Sequence, residues 1–108
     1  MPKKLLLSNE TPTLVAERLH IWGRSIRTQR IRQHISAADL CARMGISDAT
    51  LRRIERGDPG TSASNFMNAL LVLGILDAAA PALPTAYWST DAHARARKMS
   101  NSEDDDDF

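Results

Sequence analysis

The stretch between Arg30 and Gly57 constrains the fold of this chain more than any other, because it contains two short amphipathic segments joined at Gly45. One segment follows Ser36 and the other follows Ser47, and serine is a favoured residue at a helix N-terminus. A glycine between two such segments suits the left-handed turn with which many helices end. The sequence therefore predicts two short helices that meet across a tight corner.

Three more helices are predicted around this pair. Thr11 and Pro12 suit the N-cap and the first position of a helix that continues to about Gln33, and Ser62 suits the cap of a later helix. Apolar residues in both helices recur at helical spacing, which places them on one inward face. The inward residues are Val15, Leu19, Trp22 and Ile26 in the first helix and Phe66, Ala69, Leu70 and Leu73 in the later one. Residues 75–80 are predicted to form a short last helix.

The composition divides the chain into three parts. Residues 1–10 are expected to be an N-terminal arm, residues 11–84 a single helical domain, and residues 85–108 a C-terminal extension. The extension is expected to be largely disordered from about residue 99, because it has too little apolar surface to offset the entropy of ordering.

Two short segments lie outside the predicted helices. Pro59-Gly60 follows the third helix and suits the middle of a type II turn. Tyr87-Trp88 is an aromatic pair in polar surroundings. It either packs back on the domain, which is the commoner case, or anchors a partner protein.

The net charge of +1 conceals a strong asymmetry. Between Arg18 and Arg56 there are nine arginines and three carboxylates, whereas the last ten residues carry five carboxylates and no base. This arrangement is typical of a protein that binds a polyanion and carries an acidic appendage. The acidic run is interpreted either as a solvated segment or as one that folds back over the basic face and competes with nucleic acid.

Composition and spacing argue against several classes of protein. Cys41 is the single cysteine, so neither a disulfide within the chain nor a cysteine metal site is expected, and we interpret it as a small buried side chain. The three histidines lack metal-ligand spacing and no phosphate-binding loop occurs, so we expect no enzyme activity and no cofactor. No apolar run could cross a membrane, and we expect a cytoplasmic protein.

The third predicted helix has the pattern of a DNA-recognition helix. Its apolar positions 51 and 54 face inward, which turns a set of other positions outward, toward a major groove. The candidate base-reading residues are Asp48, Ala49, Arg52 and Arg53. Arg53 is the best candidate to bind guanine O6 and N7, and Ala49 suits a thymine methyl group. Asp48 either accepts a hydrogen bond from cytosine N4 or favours the helix N-terminus electrostatically.

Phosphate contacts are expected at the flanks of this helix, where capped N-termini present backbone amides and side-chain donors. The candidates are Ser36, Ala37, Arg43, Thr50, Arg56, Thr61, Ser62 and Ser64.

Ile26 to Gly57 resembles the Xre (Cro/CI-type) helix-turn-helix family, with its small residue early in the second helix, its glycine at the turn and Ile-Glu-Arg-Gly at the end of the third helix. The resemblance implies an all-α, five-helix, lambda-repressor-like domain. It also implies a structural ion pair between Arg30 and Glu55. The family often has glutamine where this chain has Ala37, so only a backbone amide would contact phosphate there.

A narrower resemblance covers residues 56–83. Gly-Asp-Pro-Gly-Thr-Ser, followed by a helix that ends Leu-Val-Leu-Gly-Ile-Leu-Asp, is similar to HipB-like antitoxins. This resemblance implies a homodimer that represses its own operon at an inverted-repeat operator in double-stranded DNA, and a HipA-like kinase toxin as partner. The alternatives are a stand-alone or phage-type regulator and, with some weight from Ala37 and Asp48, a protein-interaction module that has lost DNA binding.

Overall fold

A computed structural model describes residues 10–90, which form five α-helices and one 3₁₀ turn and contain no β-strand. The predicted all-α, five-helix fold is thereby confirmed. The helices are α1 (Thr13–Arg32), α2 (Ala37–Met44), α3 (Asp48–Arg56), α4 (Ala63–Val72) and α5 (Leu76–Ala79), and the 3₁₀ turn is Thr85–Tyr87. Residues 1–9 of the N-terminal arm and residues 91–108, which include the acidic run and the segment expected to be disordered, lie outside the described residues.

Serine side chains cap three of these helices, as predicted. Each hydroxyl accepts a hydrogen bond from the backbone N–H three residues later, and each such cap stabilises its helix by about 1 kcal/mol. The pairs are Ser36 with Asp39 at 3.0 Å, Ser47 with Thr50 at 3.1 Å and Ser62 with Asn65 at 3.2 Å. Local chemistry therefore determines where α2, α3 and α4 begin.

The start of α1 differs from the prediction. Pro12, rather than Thr11, occupies the N-cap, and its ψ of 143° keeps it outside the helix. The Pro12 carbonyl accepts the first helical hydrogen bond, from the N–H of Ala16 at 2.9 Å. Proline thus begins the helix through its carbonyl, and the prediction was wrong by one residue.

The core lies between α1, α2, α3 and α4, and α1 packs most extensively against α3. Trp22 covers one edge of it, with its ring 5.8 Å from that of Phe66. The buried apolar residues are Ile26, Ile35, Leu40, Cys41, Leu51, Ile54, Phe66, Ala69, Leu70 and Leu73. The predicted inward residues of α3 and α4 all belong to this core.

Val15 does not belong to it. Its side chain is exposed and, with Leu14, Leu19 and Trp22, lines a shallow apolar groove on the first half of α1. The face is apolar as predicted, but α1 begins before the helices that could cover it, so Val15 has no buried position.

The backbones of α1 and α3 approach each other so closely that two glycines are required. A β-carbon on Gly23 would lie 2.6 Å from the carbonyl oxygen of Glu55 and 2.7 Å from that of Ile54. A β-carbon on Gly57, which also has a φ of +72°, would lie 2.5 Å from the carbonyl oxygen of Leu19. Side chains of any size would separate these helices and change the angle of α3.

The turn after α3 is not of type II. Its closing hydrogen bond, from the N–H of Thr61 to the carbonyl of Asp58, is present at 3.0 Å. Gly60 nevertheless lacks the positive φ that a type II turn requires at its third residue. The Asp58 carboxylate instead accepts from the Gly60 N–H at 2.8 Å, which holds the turn locally.

Tyr87 and Trp88 do not pack back on the domain, so the commoner of the two interpretations is wrong. They are 76% and 66% exposed, and the indole N–H of Trp88 donates only to the nearby carbonyl of Leu83, at 3.0 Å.

None of the helices in residues 10–90 is both long enough and apolar enough to span a bilayer.

Candidate nucleic-acid interface

Helix α3 presents one buried face and one exposed face. Leu51 and Ile54 are buried in the core, whereas Ala49, Arg52 and Arg53 are exposed. The candidate base-reading residues, including Asp48, therefore share a surface that solvent reaches.

Two of these residues are paired with each other. Arg52 Nη2 donates to Asp48 Oδ2 at 2.6 Å, and the two side chains remain 71% and 58% exposed. This contact joins residues four apart on one helix, a spacing at which opposite charges attract weakly in water. Asp48 therefore orients Arg52 along the helix, a role that neither interpretation of Asp48 included.

Arg53 differs from Arg52 in having no carboxylate partner within the described part of the chain. Its guanidinium is exposed on the second turn of α3, with its donors unused by the protein. It is therefore the most available hydrogen-bond donor on this helix face.

Arg30 and Glu55 form an ion pair that holds α3 against α1. Arg30 Nε lies 2.8 Å from Glu55 Oε2, Nη2 lies 3.3 Å from Oε1, and both side chains are only 12% exposed. Arg30 Nη1 also donates to the carbonyl of Ile35 at 3.1 Å. The hydrogen bond that Arg30 donates to the Glu55 carboxylate raises the pKa of Arg30 above its ordinary value. Arg30 is thus occupied by structural contacts.

The candidate phosphate-binding residues surround α3, but several have partners in the protein. Arg43 pairs with Asp39 at 3.1 Å, and Arg56 lies 3.7 Å from Asp58. The Ser47 hydroxyl donates to Thr50 Oγ1 at 3.0 Å, and the Ser62 and Ser64 hydroxyls lie 3.2 Å apart. The side chains of Ser36, Arg43, Arg56, Ser62 and Ser64 are exposed, and those of Ala37 and Thr50 are half-buried.

Thr61 is the exception among them. Its hydroxyl oxygen is buried and has no hydrogen-bond partner among residues 10–90, so it does not face the surface where a phosphate would lie. The pattern of hydroxyl residues placed Thr61 in this set, but the turn at Asp58 directs its side chain inward.

Cys41 supports the turn from the inside. It is buried, and its thiol lies 3.6 Å from the carbonyl of Ser47, the cap of α3. Burial raises the pKa of the Cys41 thiol, and the negative charges of Asp48 and Glu55 raise it further. The neutral thiol is therefore a packing group, as the sequence predicted.

Sequence reasoning missed two contacts that hold the site in place. Gly23 permits the close approach of α1 to α3, and Gln33 Nε2 donates to the carbonyl of Leu73 at 2.8 Å, which ties the end of α1 to the end of α4. The available signal for the close approach was a glycine inside an otherwise regular helix, because glycine does not itself favour helix formation.

No cluster of three potential metal ligands occurs within residues 10–90.

Residues 26–76 match a family model described as helix-turn-helix. The matched region begins in the second half of α1 and ends at the first residue of α5, so it contains the corner at Gly45 and all of α3. Comparison with curated proteins and with solved structures gives no match.

Proposed function

We propose that this chain is a sequence-specific repressor that acts as a homodimer. Its Xre-type helix-turn-helix domain, at residues 26–76, supports a role as a DNA-binding transcription regulator. The observation that carries the proposal is the exposed face of α3, where Arg53 has no carboxylate partner among the described residues and Asp48 holds Arg52 beside it. Guanidinium groups presented from a helix suit guanine edges in the major groove.

Rigid support of α3 favours base reading over loose electrostatic attachment. Three features hold α3 in place. They are its buried face, the ion pair of Arg30 with Glu55, and the close backbone approach at Gly23 and Gly57. A side chain that reads a base has to be held to within a fraction of an ångström. Several independent contacts of this kind restrict both the angle of α3 and its distance from α1.

The proposed dimer rests on apolar surface that the domain leaves uncovered. Met67 and Leu71 extend the apolar surface of α4 beyond its buried face, and both are exposed. A domain of this size also has a small core. A two-fold dimer would bury such a surface and place two copies of α3 about 34–36 Å apart, one turn of the duplex. The operator would then be an inverted repeat.

The finer proposal is that the protein is the antitoxin of a HipA-like kinase toxin and represses its own operon. It rests on the resemblance of residues 56–83 and on the exposed pair Tyr87-Trp88, which lies on a segment away from α3 and suits a partner surface. Copurification with a kinase-like protein encoded beside it would support this proposal. A regulator without such a neighbour, controlling other genes, is the alternative.

The decisive experiment is selection of bound sites from random duplex DNA with the purified protein. A two-fold symmetric consensus with half-sites one helical turn apart is expected. An asymmetric consensus would contradict the dimer, and failure to enrich any sequence would contradict specific binding.

Arg53→Ala is expected to relax the base preference at one position of each half-site. Loss of a bidentate contact to guanine removes about 2 kcal/mol of discrimination. The thermal midpoint should remain unchanged, because the side chain is exposed and unpaired among the described residues. Arg27→Ala, which removes an exposed arginine from α1, is the matched control and should leave the consensus intact. Equal loss of affinity for every sequence in Arg53→Ala would assign this residue to phosphate instead.

Operator affinity is expected to fall steeply with salt. Each phosphate contact contributes about 0.9 to the slope of log K against log salt concentration. Titration between low and physiological ionic strength measures it, and Arg43→Ala should reduce the slope by about one contact. A flat response would favour a protein-interaction module over a DNA-binding one.

A further inference from the structure

A groove of about 650 Å³ lies between α1 and α5, away from the candidate base-reading residues. We call it the α1–α5 groove. Its apolar wall contains the half-buried Trp22 and Ile75 and the exposed Ile21. A volume of this size is in the range of sites that take a small ligand or a few residues of peptide.

The rim of this groove is cationic. Arg18, Arg24 and Arg32 line it, and none of the three has an ion-pair partner within residues 10–90. Three such positive charges around an apolar wall favour a ligand that is both acidic and partly apolar. A ligand with only one of these properties would contact either the rim or the wall, but not both.

This chain contains such a segment. Residues 103–107 are one glutamate and four consecutive aspartates, and Phe108 follows them. We propose that residues 102–108 bind in the α1–α5 groove of their own molecule, with the carboxylates beside the three arginines and the Phe108 ring against the apolar wall. This proposal is independent of the proposed function, because the groove contains none of the candidate DNA-binding residues.

The length of the chain permits this contact. Glu103 follows Thr90, the last described residue, by 13 residues, and an extended chain of that length spans about 45 Å. Closure of a loop this short within one molecule also costs less entropy than bringing in a separate ligand at micromolar concentration. Binding within one molecule is therefore favoured over exchange between molecules.

The same segment fits the groove better than it fits α3. Around α3, Arg43, Arg52 and Arg56 already lie within 4 Å of carboxylates of the domain, and only Arg53 has no such partner among residues 10–90. The exposed side of α3 also lacks an apolar wall for the Phe108 ring. The groove supplies both, so the acidic segment is held on α1 and α5 and leaves the recognition helix open.

A spin label near the acidic run tests the proposal in the full-length protein. Ser102→Cys can be labelled selectively with a nitroxide, because Cys41 is buried. At low salt, the loss of amide NMR signal should be greatest for Ser25, Gln29 and Ala78 along the groove and smaller for α3. It should disappear at about 1 M salt, where screening reduces the reach of charges to about 3 Å.

Two variants serve as controls. Arg24→Gln with Arg32→Gln should abolish the signal loss along the groove, whereas Arg27→Gln, which removes an arginine of α1 outside the groove, should preserve it. A mixture of labelled protein and isotope-enriched unlabelled protein separates contacts within a molecule from contacts between molecules, and no loss is expected in the mixture.

Other results would overturn the proposal. Greatest loss on α3 would mean that the acidic segment covers the recognition helix, and uniform weak loss would mean that it binds nowhere. Loss in the mixture would mean that it reaches a second copy. Selection of DNA sites is measured separately, so failure of this proposal and failure of the proposed function give different observations.

Discussion

Glu55→Ala is expected to lower the free energy of unfolding by about 3 kcal/mol and the thermal midpoint by about 15 °C. The Glu55 carboxylate accepts two hydrogen bonds from Arg30, and both side chains are 12% exposed. Without it the guanidinium keeps the carbonyl of Ile35 as its acceptor, in a position that water reaches poorly. The loss of stability comes mainly from the Arg30 guanidinium, which is left without its charged partner. It lies near the lower end of the range for broken buried ion pairs, because some water can reach Arg30.

Thermal and chemical denaturation measure this effect, with Glu17→Ala as the matched control. Glu17 is an exposed carboxylate on α1, and its removal should change stability by less than about 0.5 kcal/mol. Glu55→Gln, which keeps an acceptor but removes the charge, should lie between the two. A Glu55→Ala protein as stable as the wild type would mean that the ion pair does not hold α3.

Gly23→Ala is expected to destabilise the protein by about 2 kcal/mol, although alanine is the better helix former. In an exposed helix the change would gain about 1 kcal/mol from helix propensity. Here the new methyl group would lie 2.6 Å, 2.7 Å and 2.8 Å from backbone atoms of Glu55, Ile54 and Gly57, which cannot rotate away. Overpacking of this kind costs about 1–3 kcal/mol or more, and it outweighs the gain in propensity because α1 and α3 have to separate.

Gly45→Ala is the matched control for this substitution. Gly45 has a φ of +70°, but a β-carbon there would have open space around it, so only backbone strain of about 1 kcal/mol is expected. Denaturation should therefore rank Gly45→Ala between the wild type and Gly23→Ala. Because α3 would move in Gly23→Ala, both the affinity for DNA and the base preference should fall. A more stable Gly23→Ala protein would refute the close approach of the two backbones.

Much of the helical framework could be predicted because it depends on neighbouring residues. The caps at Ser36, Ser47 and Ser62 and the left-handed turns at Gly45 and Gly57 each follow from contacts within a few residues. Apolar periodicity likewise identified the buried faces of α3 and α4. The contact of Asp48 with Arg52 was accessible by the same reasoning, since the two are four residues apart on one helix.

Other features depended on residues far apart in the chain. Val15 continues the apolar face of α1 but lies beyond the helices that could bury it, and Thr61 directs its hydroxyl inward. The exposure of Tyr87 and Trp88 is equally a matter of what else lies nearby. Periodicity identifies which face of a helix is apolar, but it does not identify where along the helix the core ends.

The sequence by itself determined that the chain is helical, that a glycine corner precedes an arginine-bearing helix, and which side of that helix faces outward. These properties follow from backbone preferences and from the spacing of apolar residues along one helix. Tertiary structure decided which arginines are free. Arg30 is occupied by Glu55 of another helix, whereas Arg53 meets no carboxylate of the described residues. It also decided that Gly23 has to remain glycine, because the distance between two packed backbones is a property of the assembled fold.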